Sequence, residues 1–222
     1  RIWKFEMARK QLDVKLKHTY LAIVLLDLVG STAFVQKVGP IKAARWLQYH
    51  DRLARSACYK HSGREIDRSD GFLMSFENMS DAVSFALEYN KKVSPKTKLQ
   101  ARIGIHWGSI VEVHQDELYV GVGAKKVELE GIAKNIAART MSLANPSQIL
   151  LTKEAFQRLS ITPALRLPKD LRSACVGMYK YKGVSQPQAV YAVSSEHHLL
   201  QPPRGNDKAK RLGGPKYIKK RL

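Results

Sequence analysis

Cysteine is scarce in this sequence, with only Cys58 and Cys175 among 222 residues. Both stand in apolar surroundings, and neither has the short-range partner that is typical of a zinc ligand. Two isolated cysteines cannot form a disulfide framework. The sequence therefore excludes the small disulfide-stabilised secreted folds and fits a reducing compartment in which both thiols are free.

Long apolar runs and targeting segments are also missing. The main apolar run, residues 20–26, is far shorter than the ~20 residues that a helix needs to cross a bilayer. No stretch has the pattern of a signal peptide. We expect a cytoplasmic protein without a membrane span.

Acidic residues are few: 19 Asp and Glu stand against 38 Lys and Arg, for a net charge of +19. Such an excess attracts polyanions, among them nucleic acid, acidic membranes and nucleoside triphosphates. Much of the charge lies in residues 204–222, which we interpret as a solvated, disordered tail rather than a binding arm. Because no DNA- or RNA-binding motif is visible, we expect no nucleic-acid partner.

The chain divides into three parts: a basic lead-in arm over residues 1–18, one globular domain over 19–195 and a basic tail over 196–222. This length is enough for one domain with a full core.

The globular domain begins with a strand that ends in an acid. Residues 20–26 have the composition of a strand buried on both faces, and Asp27 follows. A glycine-containing turn then leads into a predicted helix, whose free backbone N–H groups can bind phosphate oxygens. This order predicts a metal–nucleotide site. The alternative is that Asp27 is only a turn residue or cap, with Ser31 or Thr32 starting the next helix.

Apolar periodicity predicts alternating helices and strands in the rest of the domain. We predict helices over 41–61, 81–91, 127–143 and 153–159, and strands over 20–27, 64–67, 71–76, 99–113 with a bend at Gly108, 118–122 and 149–151. The β-α-β-β-α-β order is typical of an α+β fold with a ferredoxin-like split βαβ sheet and helices on one face. In such a sheet Asp27 and Asp70 should converge.

Five motifs, in this order and spacing, strongly resemble the class III nucleotidyl cyclase catalytic domain. They are Asp27-Leu-Val-Gly-Ser-Thr, Asp70-Gly-Phe-Leu, Arg102-Ile-Gly-Ile-His-Trp-Gly, Asn135-Ile-Ala-Ala-Arg and Gln148-Ile-Leu-Leu-Thr. The resemblance covers about residues 19 to 193. Several matched motifs in sequence are more specific than any single one.

The resemblance implies a metal- and phosphate-binding half-site. Asp27 and Asp70 would hold two divalent metal ions, Mn²⁺ or Mg²⁺, with the Leu28 carbonyl oxygen as a further ligand. The residues that cradle the triphosphate would be Val29, Gly30, Ser31, Thr32, Ala33 and Phe34.

The resemblance also assigns catalytic side chains. Asn135 would orient the ribose, and Arg139 would stabilise charge on the transferred phosphorus, for which its fork of donors is suited. Asn135 and Arg139 are four residues apart and share a helix face; taken alone, they would be read as ordinary surface residues. Lys182 would reach the phosphates, with Lys180 as a competitor, whereas His106 is interpreted as structural.

In this family the metal half and the Asn/Arg half of each site come from different subunits of a head-to-tail dimer. One chain that carries both halves implies a homodimer with two equivalent sites. The implied reaction converts a nucleoside triphosphate to a 3′,5′-cyclic nucleotide, which a downstream effector would read. The non-enzymatic alternative is a degenerate domain that binds nucleotide as a regulatory module.

The residues that select the base depart from the family pattern. Ser69 replaces a usual glycine, and Ile66 or Asp67 stands where purine cyclases carry a lysine or glutamate, with Glu128 as its partner. Tyr49 could shorten the pocket, although it could equally be a core residue. The sequence is similar to the pyrimidine cyclases of bacterial anti-phage signalling, so UTP is favoured over CTP. The alternative is an adenylate or guanylate cyclase.

Overall fold

The computed structural model describes residues 15–69, 71–161 and 167–213 and the backbone of 219–221. Its strands are β1 Lys15–Leu28, β2 Arg64–Arg68, β3 Gly71–Phe76, β4 Ala101–His114, β5 Val127–Glu130, β6 Ile149–Thr152, β7 Arg172–Tyr181, β8 Gln188–Ser194, β9 Ala209–Gly213 and β10 Lys219–Arg221. Its α-helices are α1 Ser31–Val38, α2 Pro40–Lys60, α3 Met79–Glu88, α4 Ser94–Thr97, α5 Glu117–Gly121, α6 Ile132–Leu143 and α7 Lys153–Ser160. A π-helical turn, Tyr89–Val93, follows α3, and a 3₁₀ helix, His197–Leu200, follows β8.

The predicted ferredoxin-like core is confirmed. Its strands lie in the order β4-β1-β3-β2, and each neighbouring pair is antiparallel. β4 is one continuous strand that pairs with β1 from Ala101 to His114, so the predicted bend at Gly108 is wrong. The absence of a side chain at Gly108 instead leaves space for the His106 ring, because a Cβ at position 108 would lie 2.6 Å from Nε2 of His106.

Alternate residues of β1 point to opposite faces of the sheet. The residues Ala22, Val24 and Leu26 pack in one cluster with α2 and α3, as predicted for helices on one face. Leu21 and Ile23 pack with α6 on the other face, which the sequence prediction did not include.

Residues 117–143 differ from the prediction in two places. The segment predicted as a strand over 118–122 is helix α5, which Asp116 caps by accepting from the Leu118 N–H at 2.8 Å. The helix predicted over 127–143 begins as strand β5, in which buried Leu129 alternates with glutamates, and the helix itself starts only after Gly131. Gly131 has a φ of 137° that favours glycine, so it separates the two elements.

The C-terminal part extends the sheet through β6, β8 and β7. The predicted disorder of residues 204–222 is wrong for residues 204–213, which form a turn and strand β9, paired with β7; the 3₁₀ helix precedes them. Leu200 and Ala209 are fully buried, and their burial explains the order of this basic segment. At the other end, residues 15–18 of the predicted lead-in arm already belong to β1, and residues 1–14 lie outside the described part. Over the ranges described above, no helix is long and apolar enough to cross a membrane.

Candidate active site

Asp27 lies near the end of β1, between β3 and β4. Its Cα partners in the two ladders are Gly71 and Arg102, and the Arg102 guanidinium donates to its carboxylate. A Cβ on Gly71 would lie 2.1 Å from the Leu26 carbonyl oxygen, so only glycine allows β3 to approach this closely. Asp70 directly precedes Gly71 in the sequence but lies outside the described residues, so its convergence with Asp27 stays a prediction.

The donors at this end of β1 have the chemistry of a hard-cation site. The Asp27 carboxylate and the Leu28 carbonyl supply oxygen only, which is what Mg²⁺ and Mn²⁺ prefer. Among the residues whose positions are described, no group of three or more His, Cys, Asp or Glu side chains could hold a metal ion. The oxygen donors therefore fit a divalent cation, and the predicted set needs Asp70 to be complete.

The turn after Asp27 has backbone donors at the start of α1. Gly30, with a φ of 70°, is the N-cap residue, and no side chain caps this helix in the described structure. Asp27 is therefore not the cap of this helix, whereas the helix does start at Ser31, one of the two predicted starts. The N–H groups of Val29 and Phe34 donate to the carbonyls of Gln100 and Gly30.

Within the predicted phosphate cradle, Val29 and Phe34 therefore contribute no free backbone donor. The helix start leaves the N–H groups of Ser31, Thr32 and Ala33 without intrahelical acceptors.

Helix α6 brings Arg139 next to Lys182. Arg139 Nε lies 3.5 Å from the Lys182 carbonyl oxygen, and the buried hydroxyls of Thr140 and Tyr181, 2.9 Å apart, tie α6 to β7. Lys180, the competitor for the late-lysine role, donates instead to the Ser185 carbonyl in the adjoining turn.

The sheet around Asp27 and helix α6 border one cavity of about 760 Å³. Asp27 and Arg102 line it from the sheet, and the exposed Asn135 lines it from α6. Arg139 and Lys182 are not among its lining residues, and Lys182 borders a neighbouring open cavity. The structure thus brings Asp27 and Asn135 to one cavity and places Arg139 and Lys182 beside it.

Three of the predicted base-selecting residues line this cavity, and each has a defined environment. Ile66 is the extra residue of a β-bulge in β2. The Asp67 carboxylate pairs with Nζ of Lys125 at 2.7 Å, and the Glu128 carboxylate accepts from Gln115 Nε2 at 3.1 Å.

Sequence reasoning missed Lys125. It precedes β5, and only the pairing of β5 with β4 brings it over the β2–β3 hairpin. The alternating Val-Glu-Leu-Glu of β5 is the local signal that could have indicated this strand.

Tyr49 is placed differently from the prediction. It lies on α2, on the opposite face of the sheet, with its ring centroid 5.9 Å from that of Trp46. It is not among the residues that line the cavity. The predicted shortening of the pocket by Tyr49 therefore has no support in the single chain, because α2 packs against the other side of β1.

His106 is buried in the sheet, and its Nδ1 lies 2.8 Å from the Thr152 hydroxyl. Burial lowers the pKa of His106 to about 4. A histidine that stays neutral and hydrogen-bonded inside the core fits the structural role predicted from the sequence.

Comparison with known families gives a match over most of the chain. The family described as the adenylate and guanylate cyclase catalytic domain matches residues 14–195. The receptor-type adenylate cyclase ESAG 4 of Trypanosoma brucei brucei is 30% identical over 174 residues, which cover 75% of this chain and 13% of that protein. GRESAG 4.1 of the same organism is 32% identical over 97 residues, or 44% of this chain and 7% of that protein. The chain thus spans a small fraction of the length of these relatives.

Solved structures share the fold. The adenylyl cyclase CyaB from P. aeruginosa superposes with a TM-score of 0.70 at 16% identity, covering 84% of this chain and 99% of that one. An adenylate cyclase from Trypanosoma brucei in its monomeric state gives a TM-score of 0.64 at 20% identity, covering 87% of this chain and 94% of that one. The guanylyl cyclase Cya2 gives 0.67 at 18% identity, covering 84% and 98%.

Proposed function

The chain belongs to the adenylate and guanylate cyclase catalytic domain family, and from this premise we propose that it converts a nucleoside triphosphate to a 3′,5′-cyclic nucleotide and pyrophosphate. The observation that supports this proposal most directly is that the cavity-lining surface of one chain carries Asp27 on the sheet and Asn135 on α6, so each chain offers both halves of the family's site. Beside this cavity Arg139 lies against the Lys182 carbonyl oxygen, and the side chains of these two residues would supply two cations for the phosphates.

In the proposed reaction the ribose 3′-hydroxyl loses its proton to solvent, its oxygen attacks the α-phosphorus in line, and the bond from that phosphorus to the pyrophosphate oxygen breaks. Asn135 hydrogen-bonds the ribose and holds the 3′-hydroxyl in the attacking geometry. Arg139 donates to the α-phosphate oxygens, where charge develops, and Lys182 contacts the leaving pyrophosphate. Asp27 and Asp70 would hold divalent ions, which when bound would supply positive charge to the phosphate oxygens.

The proposed active form is a head-to-tail homodimer with two equivalent sites. Its support is that one chain carries both the Asp27 end and the α6 end of the family's site. In such a dimer the Asp27 end of one subunit would act with Asn135, Arg139 and Lys182 of the other.

For the base we propose a pyrimidine, with UTP ahead of CTP. Neither a lysine nor a glutamate occupies the purine-selecting position, where Ile66 and Asp67 stand. Asp67 or Glu128 can accept the uracil N3–H, and the Lys125 ammonium can donate to a uracil carbonyl. The product would be a second messenger in anti-phage defence, as in the pyrimidine cyclases that the sequence resembles.

The second candidate is an adenylate cyclase. The identity to receptor-type adenylate cyclases of trypanosomes favours it. The Asp67–Lys125 pair also suits adenine, because the acid can accept from the N6 amino group and the lysine can donate to N1.

The deciding experiment incubates the purified chain with Mn²⁺ and ATP, GTP, CTP or UTP separately and identifies the products by mass spectrometry, with Asp27→Ala as control. Faster turnover of UTP than of CTP, and of both than of ATP or GTP, would support the proposal. A preference for ATP would establish the second candidate. Binding of nucleotide without turnover of any of the four would instead indicate a regulatory nucleotide-binding domain.

A further inference from the structure

The segment that follows the family match reaches into the candidate active site. The match ends at residue 195, yet Asn206, Asp207 and Lys208 line the same cavity as Asp27 and Asn135. Residues 206–208 lie beyond the matched range, so their contribution is explained from the contacts of the segment itself.

Buried contacts hold residues 197–213 on the domain. Leu200 is fully buried in a cluster that includes residues of α6. The buried Gln148 amide donates to the carbonyl oxygens of Leu199 and Gln201 at 2.9 and 2.8 Å. The buried Tyr179 hydroxyl donates to the Pro203 carbonyl at 2.8 Å. The segment is therefore part of the folded domain.

Asn206 closes a tight turn over residues 206–209. Its Oδ1 accepts from the N–H groups of Lys208 and Ala209, both at 2.9 Å. Its Nδ2 donates to the Ser142 carbonyl at 2.8 Å, in the last turn of α6. One side chain thus shapes the turn and fixes it to the helix that carries Asn135 and Arg139.

The turn also contacts the peptide of Lys182. The Lys182 N–H donates to the Lys208 carbonyl at 2.9 Å, and the Lys182 carbonyl accepts from Arg139 Nε at 3.5 Å. The backbone of Lys182 is therefore held between the turn and Arg139. A displacement of the turn would move both cations that the proposed reaction uses.

We propose that turn 206–209 is a working part of the active site, in which Lys208 binds the phosphates of the nucleotide and Asn206 is a positioning residue for Arg139 and Lys182. The Lys208 side chain is exposed and forms no ion pair within the described ranges, so its charge is available to the nucleotide that Arg139 and Lys182 of the same subunit would contact. This inference rests on the proposed function for its substrate.

Titration with tripolyphosphate tests Lys208 without any turnover. Lys208→Ala should weaken binding about tenfold, the effect of losing one charge-assisted hydrogen bond. Arg204→Ala is the matched control, because it removes the same charge from the same segment at a residue that does not line the cavity. Equal weakening in the two variants, or none in Lys208→Ala, would overturn the assignment of Lys208.

Asn206→Asp tests the positioning role. It keeps the acceptor that shapes the turn and removes the donor to Ser142. For Asn206→Asp we expect kcat to fall about tenfold with a smaller change in KM. For Asn206→Ala we expect kcat to fall at least as far. A lower melting temperature with unchanged kcat would mean that Asn206 only stabilises the fold.

Subunit mixing shows to which half of the site the turn belongs. Lys208→Glu mixed with Asp27→Ala should recover activity, whereas Lys208→Glu mixed with Arg139→Ala should not. The opposite pattern would place Lys208 in the half of the site that carries Asp27, and it would overturn the proposal. If the wild-type chain turned over none of the four nucleotides, the proposed function would fail, while the tripolyphosphate titration would still decide on Lys208.

Discussion

Asp27 and Arg102 are register partners across β1 and β4, and their side chains form an ion pair at the edge of the cavity. The carboxylate is 21% exposed and the guanidinium 36%, so the pair is partly buried. Arg102 Nε is buried without a hydrogen-bond partner among the described residues. The pair fixes the orientation of the Asp27 carboxylate at the end of β1.

Asp27→Ala should lower turnover by ~100-fold or more, because a preorganised charge at the reacting phosphates is lost. Asp70→Ala should have the same effect. Cyclic-nucleotide production with Mn²⁺ measures the loss, and Mn²⁺ titration followed by electron paramagnetic resonance should show weaker binding. For Asp27→Ala the loss of the partly exposed ion pair should cost about 1 kcal/mol of unfolding free energy. Near-wild-type turnover in either variant would remove the metal assignment.

Mixing the inactive variants Asp27→Ala and Arg139→Ala should restore activity. In a mixed head-to-tail dimer one site carries both substitutions and the other carries neither. Random exchange gives half mixed dimers, so about a quarter of wild-type activity is expected. Subunit exchange shown by labelled subunits without any recovery would contradict the shared site.

Gly104→Ala should push α6 away from the sheet. A Cβ at this position would lie 2.2 Å from the Met141 backbone nitrogen and 2.7 Å from the Ala137 carbonyl oxygen, and neither backbone atom can move alone. We expect a loss of about 1–3 kcal/mol of stability and a fall in kcat, since α6 carries Asn135 and Arg139. The control is Gly121→Ala, which meets no atom within 4 Å. Urea unfolding and steady-state kinetics compare the two variants.

His106 should make the folded state less stable in mild acid. Its pKa falls from 6.5 in the unfolded chain to about 4 in the folded chain, so the unfolded chain takes up the proton first. The stabilisation is complete above pH 6.5 and is lost as the pH falls toward 4, by about 3 kcal/mol in total. Urea unfolding at pH 7.0, 6.0 and 5.0 should show this decline in the wild type and a flatter one in His106→Gln. Equal slopes would contradict the buried neutral state.

Base selectivity should depend on the Asp67–Lys125 pair more than on Tyr49. Lys125→Ala and Asp67→Ala each leave a polar group of the pair without its partner, and we expect the ratio of kcat/KM for UTP to that for CTP to change about tenfold. Tyr49→Ala should change the ratio less, because Tyr49 lies outside the cavity. Competition between the two nucleotides in one reaction measures the ratio directly. A larger effect of Tyr49→Ala on this ratio would show that Tyr49 contributes to base selection.

The local patterns in the sequence predicted the ferredoxin-like core because each of its elements has its own apolar period and turn signals. The apolar strand before Asp27 and the helix after Pro40 are examples. The same reasoning failed at Gly131, where two short elements with compatible patterns were merged into one helix. It also missed Lys125 and turn 206–209, because a long-range strand pairing and two buried residues, Leu200 and Ala209, determine their positions.

The central place of β1 has a consequence for synthesis of the chain. Asp27 meets its partner on β4 only 75 residues later. At ribosomal rates of roughly 5–20 residues per second, the nascent strand waits roughly 4–15 s for that partner. During this interval the edge of β1 that later pairs with β4 stays open, even after β3 has been made, and such edges pair readily with other chains. Slower translation between β1 and β4 should therefore favour aggregation of the newly made protein.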